Sequence, residues 1–199
     1  ALIVLRQALA NAKRLGLVDH NVAIDADRPS HTSRTIEHHD ADEVGRVLAK
    51  AAETVPEFAA LFETAYDTGA RQGEIFGMQT DDLDVRDVKA ATWTVRHNLL
   101  EVAGDPELTD APKTQAGHRV IALSERCARA LRRHHAHRAQ RALDERVRAM
   151  RCEQKGDLEA ARRARENADR FASSPFVFVD CDGKPLRKSN FLRRVHDPL

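Results

Sequence analysis

The chain is poor in the residues that would suit an oxidising or a lipid environment. Its 199 residues include three cysteines, Cys127, Cys152 and Cys181. They are too scattered for a disulfide framework and lack the spacing of a metal-binding set. No apolar run approaches the roughly 20 residues that cross a bilayer. No cationic-then-apolar leader opens the sequence, so export is not expected and a reducing cytoplasm is. Internal repeats and low-complexity tracts are lacking too, and the formal net charge is only +1. What remains is 42% hydrophobic and 32% charged residues. That is enough for a core beneath a solvated surface, and it excludes wholesale disorder. The length suits one full domain, or one domain with a fragment of another.

The small net charge hides an asymmetry. Residues 37–110 carry 17 acidic against 6 basic side chains, and residues 126–170 carry 14 basic against 7 acidic, with His134, His135 and His137 besides. Such a chain can offer one basic face to a polyanion while its total stays near zero. Two solvated helical faces of opposite sign account for the same counts. The three histidines suggest a metal, but only His134 and His137 share a helical face and no third ligand stands nearby, so no metal is expected.

The periodicity predicts a mainly helical α+β fold. Leu2, Leu5, Leu9 and Ala12 mark a first helix that Gly16 ends. A polar stretch with Pro29, from Asp19 to Arg34, reads as a linker. Asp40 and Glu43 form a capping pattern for a helix whose inner face is Val44, Val47, Leu48 and Ala51. Pro56 opens the next helix and Gly69 stops it; Arg71 to Met78 reads as a short third one. Thr92 to Ala103 and His118 to Leu123 read as two strands joined by a long irregular loop. Ser124 caps a long helix with an expected spine of Cys127, Leu131, His135, Ala139, Leu143, Val147 and Met150. Arg151 to Arg170 reads as an exposed, partly helical arm. Phe176 to Val179 is an expected strand, Asp182-Gly183 a turn, and Ser189 the start of a helix carrying Phe191, Leu192 and Val195.

Two basic residues stand apart from the surface charge. Arg71, in Thr-Gly-Ala-Arg-Gln-Gly-Glu, sits at a helix start, where free N–H groups and the dipole favour an anion and repel a cation. Its planar fork can hold two phosphate oxygens, and a bound anion would remove the conflict. A pairing with Glu74 or Asp67 that ties two helices together is the plainer alternative. Lys113, in Ala-Pro-Lys-Thr, is a flexible ammonium on the connection between the strands, able to donate a proton to a ligand or to serve as an ordinary loop lysine.

In their order, Thr68 to Asp84 (TGARQGEIFGMQTDDLD), Pro112 to Leu123 (PKTQAGHRVIAL) and Phe176 to Val195 (FVFVDCDGKPLRKSNFLRRV) resemble the catalytic domain of the tyrosine recombinases, the phage-integrase family. The resemblance implies an integrase-type catalytic domain with a small antiparallel β-hairpin or sheet over residues 35–199. Residues 1–20 then look like the last helix of an N-terminal core-binding domain, and residues 21–34 like the linker between them. It further implies site-specific DNA recombination through a 3′-phosphotyrosyl link, on double-stranded DNA, with self-association on the DNA and with no metal or small-molecule cofactor. Arg71 matches the first catalytic arginine and Lys113 the lysine that protonates the departing 5′ oxygen. Glu74 matches an acidic residue that buttresses Arg71. His118, Arg119, Lys188 and Arg193 are candidate contacts to the DNA backbone.

One departure limits the match. The family needs an H-x-x-R box followed by a tyrosine nucleophile. The sole tyrosine here is Tyr66, at a core position of the family pattern. His196 begins His-Asp-Pro-Leu, which lacks the second arginine. The expectation is a partial chain that does not form the covalent intermediate. A non-catalytic DNA-binding protein derived from an integrase is the second expectation, and a helical interaction module with no DNA role the third.

Overall fold

A computed structural model describes residues 2–27, 38–110 and 119–196. The described residues are 58% helical, with small antiparallel sheets, and the chain divides into two compact units, Ala1–His38 and His39–Leu199.

In the first unit, α1 (Leu2–Arg14) ends just before Gly16, whose φ of 71° reverses the chain. Residues 20–27, within the segment read as a linker, fold back on this helix. The Arg6 guanidinium donates to the carbonyls of Ala23, Ile24 and Ala26 at 2.6, 3.0 and 2.9 Å, and the buried Asn21 amide donates to Arg6 O at 2.9 Å.

The second unit opens with α2 (Ala41–Thr54). Its start is closed by a capping box: Asp40 accepts from the Glu43 N–H at 2.7 Å and Glu43 accepts from the Asp40 N–H at 3.1 Å. A 3₁₀ turn at Pro56–Phe58 leads into α3 (Ala59–Thr68), and Gly69 ends that helix in the left-handed region at φ 59°. The short α4 (Gln72–Phe76) follows. β1 (Leu83–Asp84), β2 (Thr92–Val95) and β5 (Arg119–Ala122) form an antiparallel sheet in the order β1-β2-β5, with Leu83 opposite Trp93 and Val95 opposite Arg119.

The expected strand Thr92–Ala103 is two strands, β2 and β3 (His97–Val102), and the described start of the expected loop is a further strand, β4 (Asp105–Asp110), that pairs with the second of them. β3 and β4 pair in full register from His97 opposite Asp110 to Val102 opposite Asp105. The two-residue turn has φ 52° at Ala103 and 90° at Gly104, the geometry whose twist suits paired strands. Pro106 is tolerated because β4 is the outer strand of a two-stranded ribbon. At the junction, Arg96 donates to the buried Asp82 carboxylate at 2.9 Å.

Helix α5 (Glu125–Gln154) is 30 residues long and capped by Ser124. The expected spine is out of phase in its second half. Leu143, Val147 and Met150 are 52%, 43% and 57% exposed, whereas Ala142 and Ala149 are buried. The reason is α6 (Leu158–Ser173), which runs back along α5 after a turn at Gly156 and buries Ala161, Ala164, Ala168 and Phe171. Small side chains let the two helices close on each other, so alanine rather than leucine marks the contact. The expected exposed arm is therefore a packed helical hairpin.

Phe176–Val179 is buried but makes only isolated bridges, Gln79 with Phe176 and Val179 with Pro185, rather than a strand. It is hooked from both sides. The Val177 N–H donates to Met78 O at 2.9 Å, and His134 Nε2 donates to Val177 O at 3.0 Å. The Arg138 guanidinium donates to the carbonyls of Phe176 and Ser174, and burial holds its pKa below the usual value. Last comes α7 (Lys188–Phe191), which a π-helical turn over Leu192–His196 continues. Phe191 packs against Phe58, Phe62 and Phe76 at ring separations of 5.5, 5.9 and 5.1 Å.

Close approach of β3 to α4 requires glycine at two positions one helical turn apart. A Cβ at Gly73 would lie 2.1 Å from Asn98 Oδ1 and 2.9 Å from Leu99 O; one at Gly77 would lie 3.0 Å from Leu99 N. Gly73→Ala forces the β3 backbone outward and is expected to lower the unfolding free energy by roughly 1–3 kcal/mol, the usual cost of overpacking, as read from denaturant unfolding. His134 gives a second expectation. Burial lowers its pKa from 6.5 to about 4, so below about pH 6.5 the unfolded chain takes up a proton that the folded chain refuses. Stability should fall as the pH drops from 7 towards 4, by on the order of 3 kcal/mol in full. His134→Gln should remove that part of the slope in melts at several pH values.

Candidate functional site

The motif around Arg71 folds as its residues require. Gly69 turns the chain out of α3, and the Thr68 hydroxyl, donating to Thr64 O at 2.6 Å and accepting from the Ala70 N–H at 3.2 Å, stiffens the exit. Arg71 then stands in extended backbone, at φ −67° and ψ 147°, as the residue before α4.

The centre of the site is the Glu74 carboxylate, whose side chain is 4% exposed. Each of its oxygens accepts two hydrogen bonds. Oε1 accepts from Arg71 Nη1 at 3.3 Å and from Arg119 Nη1 at 3.1 Å. Oε2 accepts from the Arg71 backbone N–H at 2.9 Å and from Arg119 Nη2 at 2.8 Å. The Arg119 fork holds the Glu74 carboxyl below its usual pKa despite burial, with the Arg71 N–H adding to the effect. Arg119 is in turn raised by the same carboxylate. Two guanidinium groups thus share one carboxylate, and the cluster keeps an excess positive charge.

The two arginines are not equivalent. Arg119 meets Glu74 with two bonds and is 37% exposed; Arg71 meets it with one long side-chain bond and is 80% exposed. At the helix start the Arg71 N–H is taken by Glu74. What reaches solvent is the Arg71 guanidinium. The plainer alternative is therefore realised in part: Arg71 does pair with Glu74, while Asp67 instead accepts from the Ser124 N–H at 2.9 Å.

Among the other candidates, Lys113 and His118 lie outside the described residues. Arg119, expected as a DNA contact, is placed on Glu74. Lys188 opens α7 and Arg193 reaches Asn190 at 3.5 Å; neither makes a contact with the Glu74 cluster. The start of α7 is tied instead to the β3–β4 hairpin. Glu101 accepts from the Ser189 N–H at 3.0 Å and from the Ser189 hydroxyl at 2.8 Å, and Arg187 donates to Asp105 at 2.9 Å. Tyr66 is 41% exposed and lines an apolar groove of about 690 Å³ with Val47, Leu61, Phe62, Ile75 and Phe191.

Sequence reasoning missed three parts of this arrangement. Gly73 and Gly77 give the site its close hairpin, and their four-residue spacing was the available signal. The Glu101–Ser189 tie and the Arg119–Glu74 fork join residues 88 and 45 positions apart, and no local pattern announces either. Among the described residues, no helix is long and apolar enough to cross a membrane.

No protein-family model matches the chain, and no curated protein matches it in sequence. Solved structures do match its fold. The integrase of the transposon Tn1549, in complex with a circular-intermediate DNA, aligns with a TM-score of 0.63 at 18% identity, over 94% of this chain and 52% of its own. The same integrase in complex with transposon right-end DNA aligns with a TM-score of 0.61, also at 18% identity, over 94% of this chain and 51% of its own. The chain spans about half the length of these neighbours. At such identity the likeness is one of fold, and it agrees with the motifs: the chain has the integrase-type catalytic-domain fold, mainly helical with a small antiparallel sheet.

Proposed function

We propose that residues 35–199 act on double-stranded DNA as part of a tyrosine-recombinase catalytic domain, with residues 1–20 belonging to the core-binding domain and 21–34 to the linker. The Arg71 guanidinium binds the scissile phosphate. It neutralises the charge that builds on the non-bridging oxygens as the phosphorus passes through a five-coordinate state. Lys113 delivers a proton to the departing 5′ oxygen. Glu74 fixes Arg71 and touches no substrate. This chemistry uses no metal or small-molecule cofactor, and self-association on the DNA goes with the same reading. The bond formed as the 5′ oxygen departs is a 3′-phosphotyrosyl link, made by a tyrosine hydroxyl other than that of Tyr66, which lies on α3 and is not the nucleophile.

The observation that supports this most is the pairing of an 80% exposed guanidinium with a 4% exposed carboxylate anchor. It stands at the motif position of the catalytic arginine, on a fold shared with an integrase solved with DNA. A second reading is DNA binding without strand cleavage, by a protein derived from an integrase, through the same Arg71 guanidinium.

Both readings are tested by fluorescence anisotropy of a labelled duplex. The chain should bind, and its affinity should fall steeply with salt. Arg71→Ala should weaken binding at low salt by roughly tenfold, the scale of a charge-assisted hydrogen bond to phosphate. It should also reduce the salt slope by about one phosphate contact. Absence of duplex binding at low salt, or an Arg71→Ala variant that binds like the parent, would remove both.

A further inference from the structure

Arg119 presents a puzzle that the functional reading leaves open. It is basic, partly exposed and next to the Arg71 cluster, yet both of its terminal nitrogens are committed to Glu74 at 2.8 and 3.1 Å. A bidentate guanidinium–carboxylate pair is the strongest form that such an interaction takes, and its planar fork leaves little freedom to turn towards another anion. Arg71, by contrast, reaches the same carboxylate through one side-chain bond of 3.3 Å. Without a second cation, a buried carboxylate beside Arg71 would draw that guanidinium onto itself and cancel its charge, because an uncompensated buried anion is costly.

We propose that Arg119 is a positioning residue acting through Glu74: by taking both carboxylate oxygens in a fork, it leaves the Arg71 guanidinium held by one long bond and otherwise available, as a positive group, to a DNA phosphate. The proposal rests on the reading of Arg71 as the phosphate-binding group. It gives three residues distinct tasks. Glu74 holds the Arg71 backbone N–H and so sets where the side chain begins. Arg119 satisfies the Glu74 charge. Arg71 is left with its outer nitrogens facing solvent. The arrangement also joins the start of β5 to α4, so the strand and the helix that bear the two arginines are held in one register.

A rescue experiment separates this role from direct DNA contact and from simple structural support. Duplex affinity is measured at low salt for the parent, Arg71→Ala, Arg119→Met and the double variant Glu74→Gln/Arg119→Met, with circular dichroism melts to establish that each is folded at the assay temperature. Arg119→Met should weaken binding about tenfold, as Arg71→Ala does, because Glu74 then captures Arg71. Removing the carboxylate as well should restore affinity to within about threefold of the parent. If Arg119 touches DNA itself, the double variant stays as weak as Arg119→Met, and the proposal is overturned. It is equally overturned if folded Arg119→Met binds like the parent. Should Arg119→Met fail to fold, Arg119→Lys serves in its place. A single ammonium cannot fork, so it should weaken binding about threefold, and Glu74→Gln should again restore it. Failure of the parent to bind any duplex would instead sink the functional reading and this proposal with it. Loss of binding in Arg71→Ala, with Arg119→Met left unrescued by Glu74→Gln, would sink the positioning role alone.

Discussion

A carboxylate buried to 4% exposure is tolerable only when its charge is answered, and Glu74 is answered twice. This sharing explains why the surroundings are built as they are. α4 is short and starts abruptly after Gly69, so that Arg71 stands in extended backbone with its N–H aimed at Glu74. β5 begins at Arg119, opposite Val95 of the central strand, and so delivers its guanidinium from the sheet side. Gly73 and Gly77 let β3 lie directly on α4. The start of α4 and the start of β5 meet at one anion, and the balance of charge there decides whether Arg71 is a structural tie or a receptor.

The basic half of the chain has a different meaning from its composition. Many of its arginines are spent inside the molecule. Arg138 holds two backbone carbonyls of the 174–176 segment. Arg141 lies over the Phe171 ring at 4.7 Å. Arg126 pairs with Glu63, Arg148 with Glu145, and Arg165 with Glu153. Exposed pairs of this kind add little stability each, but they neutralise charge that a count of residues credits to a polyanion-binding face. The helical hairpin of α5 and α6 is held by alanine packing, with Arg141 over Phe171 and Arg165 on Glu153 joining the two helices.

What could be read from the sequence was local. The Asp40–Glu43 capping box, the Ser124 cap and the glycine stops at Gly16 and Gly69 all depend on residues within one helical turn, and all appear where the pattern places them. Errors arose where packing between distant segments decides. Leu143, Val147 and Met150 form a convincing stripe until α6 takes the neighbouring alanine face. Asp105 to Asp110 reads as loop because glycines and prolines, Gly104 and Pro106 among them, punctuate the stretch, yet the two-residue turn at Ala103-Gly104 makes it a strand. Arg71 could be singled out because its cation stands at a helix start, an electrostatic conflict visible in one line of sequence. The role of Arg119 could not, since its partner lies in another element.

The central claim is that Arg71, and not Arg119, is the cation available to a phosphate. The most direct measurement is nuclear magnetic resonance of the arginine Nε–Hε groups, assigned by single substitutions, while a short duplex is titrated in. The account requires the Arg71 signal to move and the Arg119 signal, locked on Glu74, to stay. A shift of the Arg119 signal with the Arg71 signal unmoved would contradict it.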